Sequence, residues 1–209
     1  MLRLDFEQPA PITARTAQVL ARNLSRHVGR LSALIISDYQ KGTVTTELAS
    51  HAVSLSRQKR LPVFVDPKPE HPEICRHATL VTPNLHEAEL MLGRPLRTRQ
   101  DLIAGGRRML SELDCSNLLI TRGSDGMVLF GADGSMHEIP GIARPVYDVT
   151  GAGDTVLAVL ALATCAGATL TEAAELANLA GGRVVLKFGT AEITRQELLE
   201  ALAGKSETR

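Results

Sequence analysis

The sequence predicts an α/β fold in three layers, with helices packed on both faces of a mostly parallel sheet. Three observations carry that expectation. Short continuous apolar runs recur, such as Ala33-Leu34-Ile35-Ile36 and Val63-Phe64-Val65. Runs of that length without alternation belong to strands buried on both faces. Between them lie longer segments whose apolar residues return every three or four positions, the spacing of a helix with one buried side. The 209 residues hold no Trp, two Tyr and four Phe within 44% apolar content. The core is therefore aliphatic and Ala-rich, which suits helices laid on a sheet.

Taken in order, Leu2 to Phe6 reads as a short strand. Residues 13–28 form a helix with apolar positions at Val19, Leu20, Leu24 and Val28. The run at 33–36 is a strand closing on Ser37-Asp38-Tyr39, and 45–60 is a helix. A strand at 62–65 closes on Asp66-Pro67-Lys68, and one at 79–82 closes on Pro83-Asn84. Helices follow at 85–92 and 99–113, then a strand at 117–121 ending in Arg122-Gly123. Residues 127–130 and 135–139 make a hairpin around Ala132-Asp133-Gly134. Helices at 151–165, 170–181 and 195–202 complete the chain, and the tail from Gly204 is expected to fray. Strands alternating with helices imply parallel pairing. With no repeat and no linker, residues 1–209 read as one domain.

Charge and cysteine usage exclude several classes. Lys plus Arg and Asp plus Glu both equal 23. A neutral chain exerts no broad pull on nucleic acid or on an anionic membrane, so neither is an expected partner. Cys75, Cys115 and Cys165 lie far apart and form no zinc spacing. Their odd number favours a reducing compartment. The first fifteen residues carry no apolar signal segment. The longest apolar stretch, 156–163, is too short to span a bilayer. A cytoplasmic protein is expected.

Chemistry is expected at the strand ends. Four strands close in polar clusters: Ser37-Asp38-Tyr39-Gln40-Lys41-Gly42, Asp66-Pro67-Lys68, Thr82-Pro83-Asn84 and Thr121-Arg122-Gly123. Open α/β sheets bind ligands beyond the carboxyl ends of their strands. The most pointed segment is Asp148-Val149-Thr150-Gly151-Ala152-Gly153-Asp154, which opens an apolar helix. Two glycines let the backbone turn and approach a ligand closely. The first helical turn presents unpaired N–H groups and a positive dipole end, a site for phosphate. A carboxylate beside such a site is placed to take a proton from an attacking hydroxyl, the pairing phosphoryl transfer needs. On spacing alone, a plain helix start with Asp154 complementing the dipole accounts for the segment about as well. The segment is not a Walker A loop, since no Gly-Lys-Ser/Thr follows, and it lacks the third glycine of a dinucleotide fingerprint.

The segment Asp148 to Asp154 resembles the signature of the ribokinase-like (PfkB) carbohydrate kinases. Ser37 to Gly42, Val65 to Lys68, Ala78 to Asn84, Leu119 to Gly123 and Lys187 to Thr190 follow in that family's order. The Asp38-Tyr39-x-Lys41-Gly42 and Asp66-Pro67-Lys68 segments are similar to the D-glycero-β-D-manno-heptose 7-phosphate kinases, which some bacteria fuse to a nucleotidyltransferase making ADP-heptose. The resemblance runs from about Leu4 to Leu202. It implies ATP and Mg²⁺ as cofactors and a small sugar phosphate as acceptor. It implies that Asp154 is the catalytic base and that Gly151, Ala152 and Gly153 donate backbone N–H groups to the transferring phosphoryl. Asn84, Leu85, His86 and Glu87 match the family's Asn-x-x-Glu motif by the ATP phosphates, with Asn84 and Glu87 reaching Mg²⁺ through water. Thr121, Gly123 and Gly126 fall where the family contacts phosphates and ribose, Asn178 on the helix lining the adenine pocket. Lys41 and Lys68 are candidate phosphate holders.

Bland alternatives stand beside these roles. Asn84 with Glu87 three residues on also reads as a capping box, Asn178 as a surface helix residue, and the two lysines as solvated. About a third of the kinase domain of a complete family member, the front third with a Gly-Gly-x-x-x-Asn sugar segment and a β lid, has no counterpart here. A separate chain supplying the front half is one explanation, but a fragment or truncated member is the expectation, with an exposed sheet edge that makes a homodimer a candidate assembly. Ribokinase-like or fructokinase-like specificity, or a nucleotide-binding module without transfer, remain open beside heptose phosphorylation. A redox enzyme would need an early Gly-rich turn, where Ser37-Asp38-Tyr39 stands instead.

Overall fold

A computed structural model of the chain describes residues 9–142, 148–189 and 191–206. The expected strand at Leu2 to Phe6 and the Thr190 end of the Lys187 segment lie outside these residues. The chain runs α1 (Ala14–His27), β1 (Leu34–Ser37), α2 (Thr46–Gln58), β2 (Val63–Asp66), β3 (Leu80–Val81), α3 (Leu85–Leu92), α4 (Arg99–Glu112) and β4 (Asn117–Thr121). It continues β5 (Met127–Gly131), β6 (Met136–Ile139), α5 (Ala152–Cys165), α6 (Leu170–Val184) and α7 (Arg195–Ser206). Threonines set the helix starts. Thr13, Thr45, Thr98 and Thr169 each turn their hydroxyl to an otherwise orphaned N–H of the first turn.

The sheet has six strands in the order β1-β2-β3-β4-β5-β6. The pairings from β1 to β4 are parallel, and β5 and β6 attach as an antiparallel hairpin. Alternate residues of each strand serve opposite faces. Val63, Val65, Val81, Leu118, Ile120, Val128 and Phe130 pack with α2 to α4. Phe64, Leu80, Leu119, Met127, Leu129 and Ile139 pack with α5 and α6. This is the expected three-layer α/β/α arrangement, and it aligns the carboxyl ends of β1 to β4 along one rim.

Three details differ from the sequence reading. Ile35 belongs to a run read as buried on both faces, yet it is 43% exposed. β1 is an edge strand, and the helices on that face leave this residue partly uncovered. Helix α6 runs three residues past Gly181. The glycines do not break it, because a Cβ on Gly181 would lie 3.0 Å from the Val156 side chain, and one on Gly182 would lie 3.2 Å from Ile142. Close packing is what they supply. The last helix reaches Ser206 rather than fraying at Gly204.

Candidate active site at the carboxyl rim

The glycine-rich entrance to α5 is held from both sides by Asp148. Its Oδ1 accepts from the Thr150 N–H at 2.9 Å and from the Thr150 hydroxyl at 2.7 Å, and its Oδ2 accepts from the Gly189 N–H at 3.1 Å. These bonds, that of the Thr150 hydroxyl foremost, hold the Asp148 carboxyl below the usual range. They also bring the Lys187-Phe188-Gly189 segment to the entrance. Gly151 caps the helix with φ of 79°, a left-handed conformation that favours glycine. Ala152, Gly153 and Asp154 form the first turn, whose N–H groups lack intrahelical acceptors. The Ala152 N–H is committed to the Val149 carbonyl at 3.2 Å. Gly153 and Asp154 thus present the donors facing outward, and both residues are exposed. A Cβ built on Gly151 or Gly153 meets nothing within 4 Å. The space before the turn is open, as an arriving triphosphate requires.

Asp154 meets the β1 exit here. The Tyr39 hydroxyl donates to its Oδ1 at 2.5 Å, across 115 residues of sequence. Beside Tyr39 lies a cleft of about 400 Å³ lined by Ser37, Asp38, Lys41, Thr43 and Val44.

The ends of β2 and β3 add charge. Asp66 is half-buried, and burial pushes its carboxyl up to about 6. Lys68 pulls it back, while Glu87, Asp154 and Asp38 reinforce the rise. Lys68 donates to Glu87 Oε1 at 2.5 Å. Burial draws the lysine downward, but Glu87 above all, with Asp66 and Asp38, outweighs it and leaves the ammonium above its usual value.

Glu87 is buried, at 8% exposure, and its other oxygen accepts the Asn84 N–H at 2.9 Å. The Asn84 side chain returns the bond to the Glu87 N–H at 2.9 Å. The capping box expected as the bland alternative is therefore present, and Lys68 is added to it. Both Glu87 oxygens are engaged. Among the described residues no group of three His, Cys, Asp or Glu forms a metal cage. Asn84 and Glu87 fit Mg²⁺ only through its water shell and the nucleotide's phosphates, the way this hard cation is commonly held. Of their neighbours, Leu85 packs against the core and His86 is exposed.

The residues expected on the nucleotide side gather at the next strand end. Asn84 bridges to Thr121, which brings α3 and β4 together. Gly123 and Gly126 both have left-handed φ, and the Arg122 N–H donates to the Gly126 carbonyl at 2.8 Å. A Cβ on Gly126 would lie 2.0 Å from the Ile139 carbonyl oxygen. The Asn178 amide donates to the adjoining Pro140 carbonyl at 2.9 Å, so it tethers the exit of β6. Asp154, Lys41, Lys68, Asn84 and Glu87 thus share the rim from β1 to β3, while Thr121, Gly123, Gly126 and Asn178 surround the turn beyond β4.

Tyr39, Asp66 and Asp148 carry contacts that the residue roles read from sequence did not assign. Asp148 was visible as the first residue of the glycine segment. Tyr39 and Asp66 stood in the strand-end clusters, but only their spatial neighbours reveal what they do.

Comparison with known proteins agrees with this architecture. Residues 13–197 match the pfkB family carbohydrate kinase description. The bifunctional protein HldE of Geobacter metallireducens is 41% identical over 202 residues, which is 97% of this chain and 41% of that protein. The Salmonella dublin HldE is 40% identical over 208 residues, 100% of this chain and 43% of that protein. The chain spans less than half the length of these curated relatives. Among solved structures, phosphofructokinase-2 from Escherichia coli in complex with potassium superposes with a TM-score of 0.79 at 19% identity, covering 96% of this chain and 66% of that one. Ribokinase from Arabidopsis thaliana, complexed with ribose and ATP, gives 0.72 at 20% identity, covering 93% and 60%. At those identities the likeness is one of fold.

Proposed function

We infer the activity from one premise: the chain belongs to the pfkB family of carbohydrate kinases. It transfers the γ-phosphoryl group of ATP to a hydroxyl of a sugar phosphate. The acceptor is D-glycero-β-D-manno-heptose 7-phosphate and the hydroxyl its anomeric one. That choice of sugar rests on the Asp38-Tyr39-x-Lys41-Gly42 and Asp66-Pro67-Lys68 segments, and on about 40% identity to HldE proteins.

One observation carries the reading: an exposed carboxylate, Asp154, stands in the first turn of a helix entered through a left-handed glycine, with open space before it. Asp154 removes the proton of the acceptor hydroxyl as that oxygen attacks the γ-phosphorus. The bond from phosphorus to the bridging oxygen breaks, and ADP leaves with the electron pair. The Gly153 and Asp154 N–H groups face the phosphoryl oxygens, where fixed donors are most effective as charge spreads. Mg²⁺, when bound, offsets phosphate charge. Asn84 and Glu87 would hold it through its water shell, and Lys68, tied to Glu87, would supply a further positive charge. None of the described helices is long and apolar enough to cross a bilayer.

The test is acceptor-dependent ADP release with heptose 7-phosphate, fructose 6-phosphate and ribose in parallel, alongside calorimetric titration with Mg·ATP. Heptose 7-phosphate should give the largest kcat/KM. Asp154→Asn should keep ATP affinity and lose about 100-fold or more in turnover, the usual contribution of a positioned base. Equal turnover by that variant would exclude Asp154 as the base. ATP binding without turnover on any sugar would make the chain a nucleotide-binding module instead.

A further inference from the structure

The turn leaving β1 is anchored at the residues on either side of Tyr39. Asp38 is buried, at 1% exposure. Its Oδ1 accepts the Gln40 N–H at 2.8 Å, its Oδ2 pairs with His71 Nδ1 at 3.0 Å, and its own N–H donates to the Asp66 carbonyl at 3.1 Å. Gln40 takes a left-handed φ of 56°, unusual for a residue with a side chain. Tyr39, held between two fixed neighbours, is itself 56% exposed. Packing does not confine its ring. Its hydroxyl donates to Asp154, and the Ser37 side chain also acts on the phenol, in the opposite sense to Asp154 and more weakly.

We propose that Tyr39 is a positioning residue for Asp154, whose Oδ1 it holds so that Oδ2 is the oxygen that receives the acceptor's proton. The inference rests on the reading of Asp154 as the base. A carboxylate turns through a broad range about its terminal torsion. A hydroxyl donating to one oxygen fixes the carboxylate plane, and a bond to an ionised acceptor is among the stronger kinds. The phenol keeps its proton throughout, and the transferred proton resides on Oδ2. In support, the bond to Asp154 is the chief cause of a Tyr39 phenol held above its usual value. Asp154 and Asp66 are the charged groups acting on it, and Asp66 in turn faces Lys68, Glu87 and Asp38.

Two readouts on the full chain test this. In acceptor-dependent ADP release, Tyr39→Phe should lower kcat about tenfold with the KM for ATP unchanged, as loss of one charge-assisted hydrogen bond predicts. Unchanged kcat would overturn the positioning role. The second readout needs no turnover. The chain has two tyrosines and no tryptophan, so an ultraviolet titration of phenolate is readily assigned. The native chain should show one phenol ionising above the ordinary tyrosine range. Tyr39→Phe should abolish that transition, and Asp154→Asn should shift it downward. A raised transition that survives Tyr39→Phe, or ignores Asp154→Asn, would overturn the bond itself. If the native chain and Asp154→Asn turn over alike, the base assignment fails, while the titration still decides whether Tyr39 binds Asp154.

Discussion

Replacing Gly153 separates what a ligand demands from what the fold demands. Gly153 has no left-handed φ, and a Cβ placed on it meets nothing within 4 Å. Nothing inside the protein requires glycine there. Alanine is favoured over glycine in an exposed helix by up to about 1 kcal/mol, and less in the first turn. Gly153→Ala should therefore leave the unliganded chain as stable as before or raise its Tm by a few degrees, roughly 2–4 °C at most for a chain of this size.

The methyl would stand in the open space before the Gly153 and Asp154 N–H groups. A displacement of the phosphoryl by about 1 Å is enough to cost on the order of 100-fold in rate. A matching 100-fold loss of affinity would remove about 2.7 kcal/mol of nucleotide-induced stabilisation. The assay is thermal unfolding with and without Mg·ATP, together with ADP release. The expected result is an unliganded Tm equal or higher, a much smaller shift with ATP, and slow transfer. Gly151→Ala should behave differently. Its φ of 79° imposes left-handed strain on any side chain, so it should destabilise the free chain by about 1–2 kcal/mol. A Gly153→Ala variant with full ATP shift and full rate would refute the idea that phosphate approaches this turn closely.

Two further outcomes follow from other parts of the rim. Asp66 is raised from the ordinary 3.8 to about 6 by burial, so between those pH values the native state holds a proton that the unfolded chain has lost. Its contribution to stability is full below about pH 4 and is lost as pH rises through about 6. The displacement corresponds to about 3 kcal/mol. Asp66→Asn removes the titration, so its stability relative to the native chain should rise by that amount between pH 4 and pH 7 in urea unfolding. A flat difference would show that burial does not govern this group. Gly126→Ala combines left-handed φ with a Cβ 2.0 Å from the Ile139 backbone oxygen, a group that cannot swing away. A loss of about 3 kcal/mol or more is expected by thermal unfolding, of the size reserved for backbone strain and overpacking. A variant within 1 kcal/mol of the parent, about the ordinary effect of a point mutation, would show that the β6 exit does not sit against this turn.

The fold was legible where local and global demands agree. Val63, Phe64 and Val65 formed an unbroken apolar run because both faces of β2 are covered, and each is at most 1% exposed. The helix starts at Thr13, Thr45, Thr98 and Thr169 were placed by apolar spacing, and the structure adds that each threonine hydroxyl accepts from an otherwise orphaned first-turn N–H. Legibility failed where packing overrode a local signal. The helix reading ended at Gly181, yet the helix continues to Val184, and Val156 and Ile142 press closely on Gly181 and Gly182. Ile35 reads as core, but its strand lies at the sheet's edge, and edge position is a property of topology rather than of a four-residue run.

The candidate site divides in the same way. Each strand end announced itself by polar residues after an apolar run, so membership of the rim was readable one segment at a time. Partnership was not. Glu87 carried a cap signal and a phosphate-site resemblance that competed on the page of sequence, but in three dimensions they are compatible: one carboxylate oxygen closes the cap and the other holds Lys68. Tyr39 and Asp154 lie 115 residues apart, and nothing in either segment names the other. What joins them is register. Parallel pairing sets Ser37 opposite Asp66, and helix α5 packs against β1 and β2 so that its first turn arrives above both strand ends. A carboxylate singled out by a motif is therefore only half specified by that motif: its hydroxyl partner is presented by a turn that a buried aspartate fixes elsewhere in the chain.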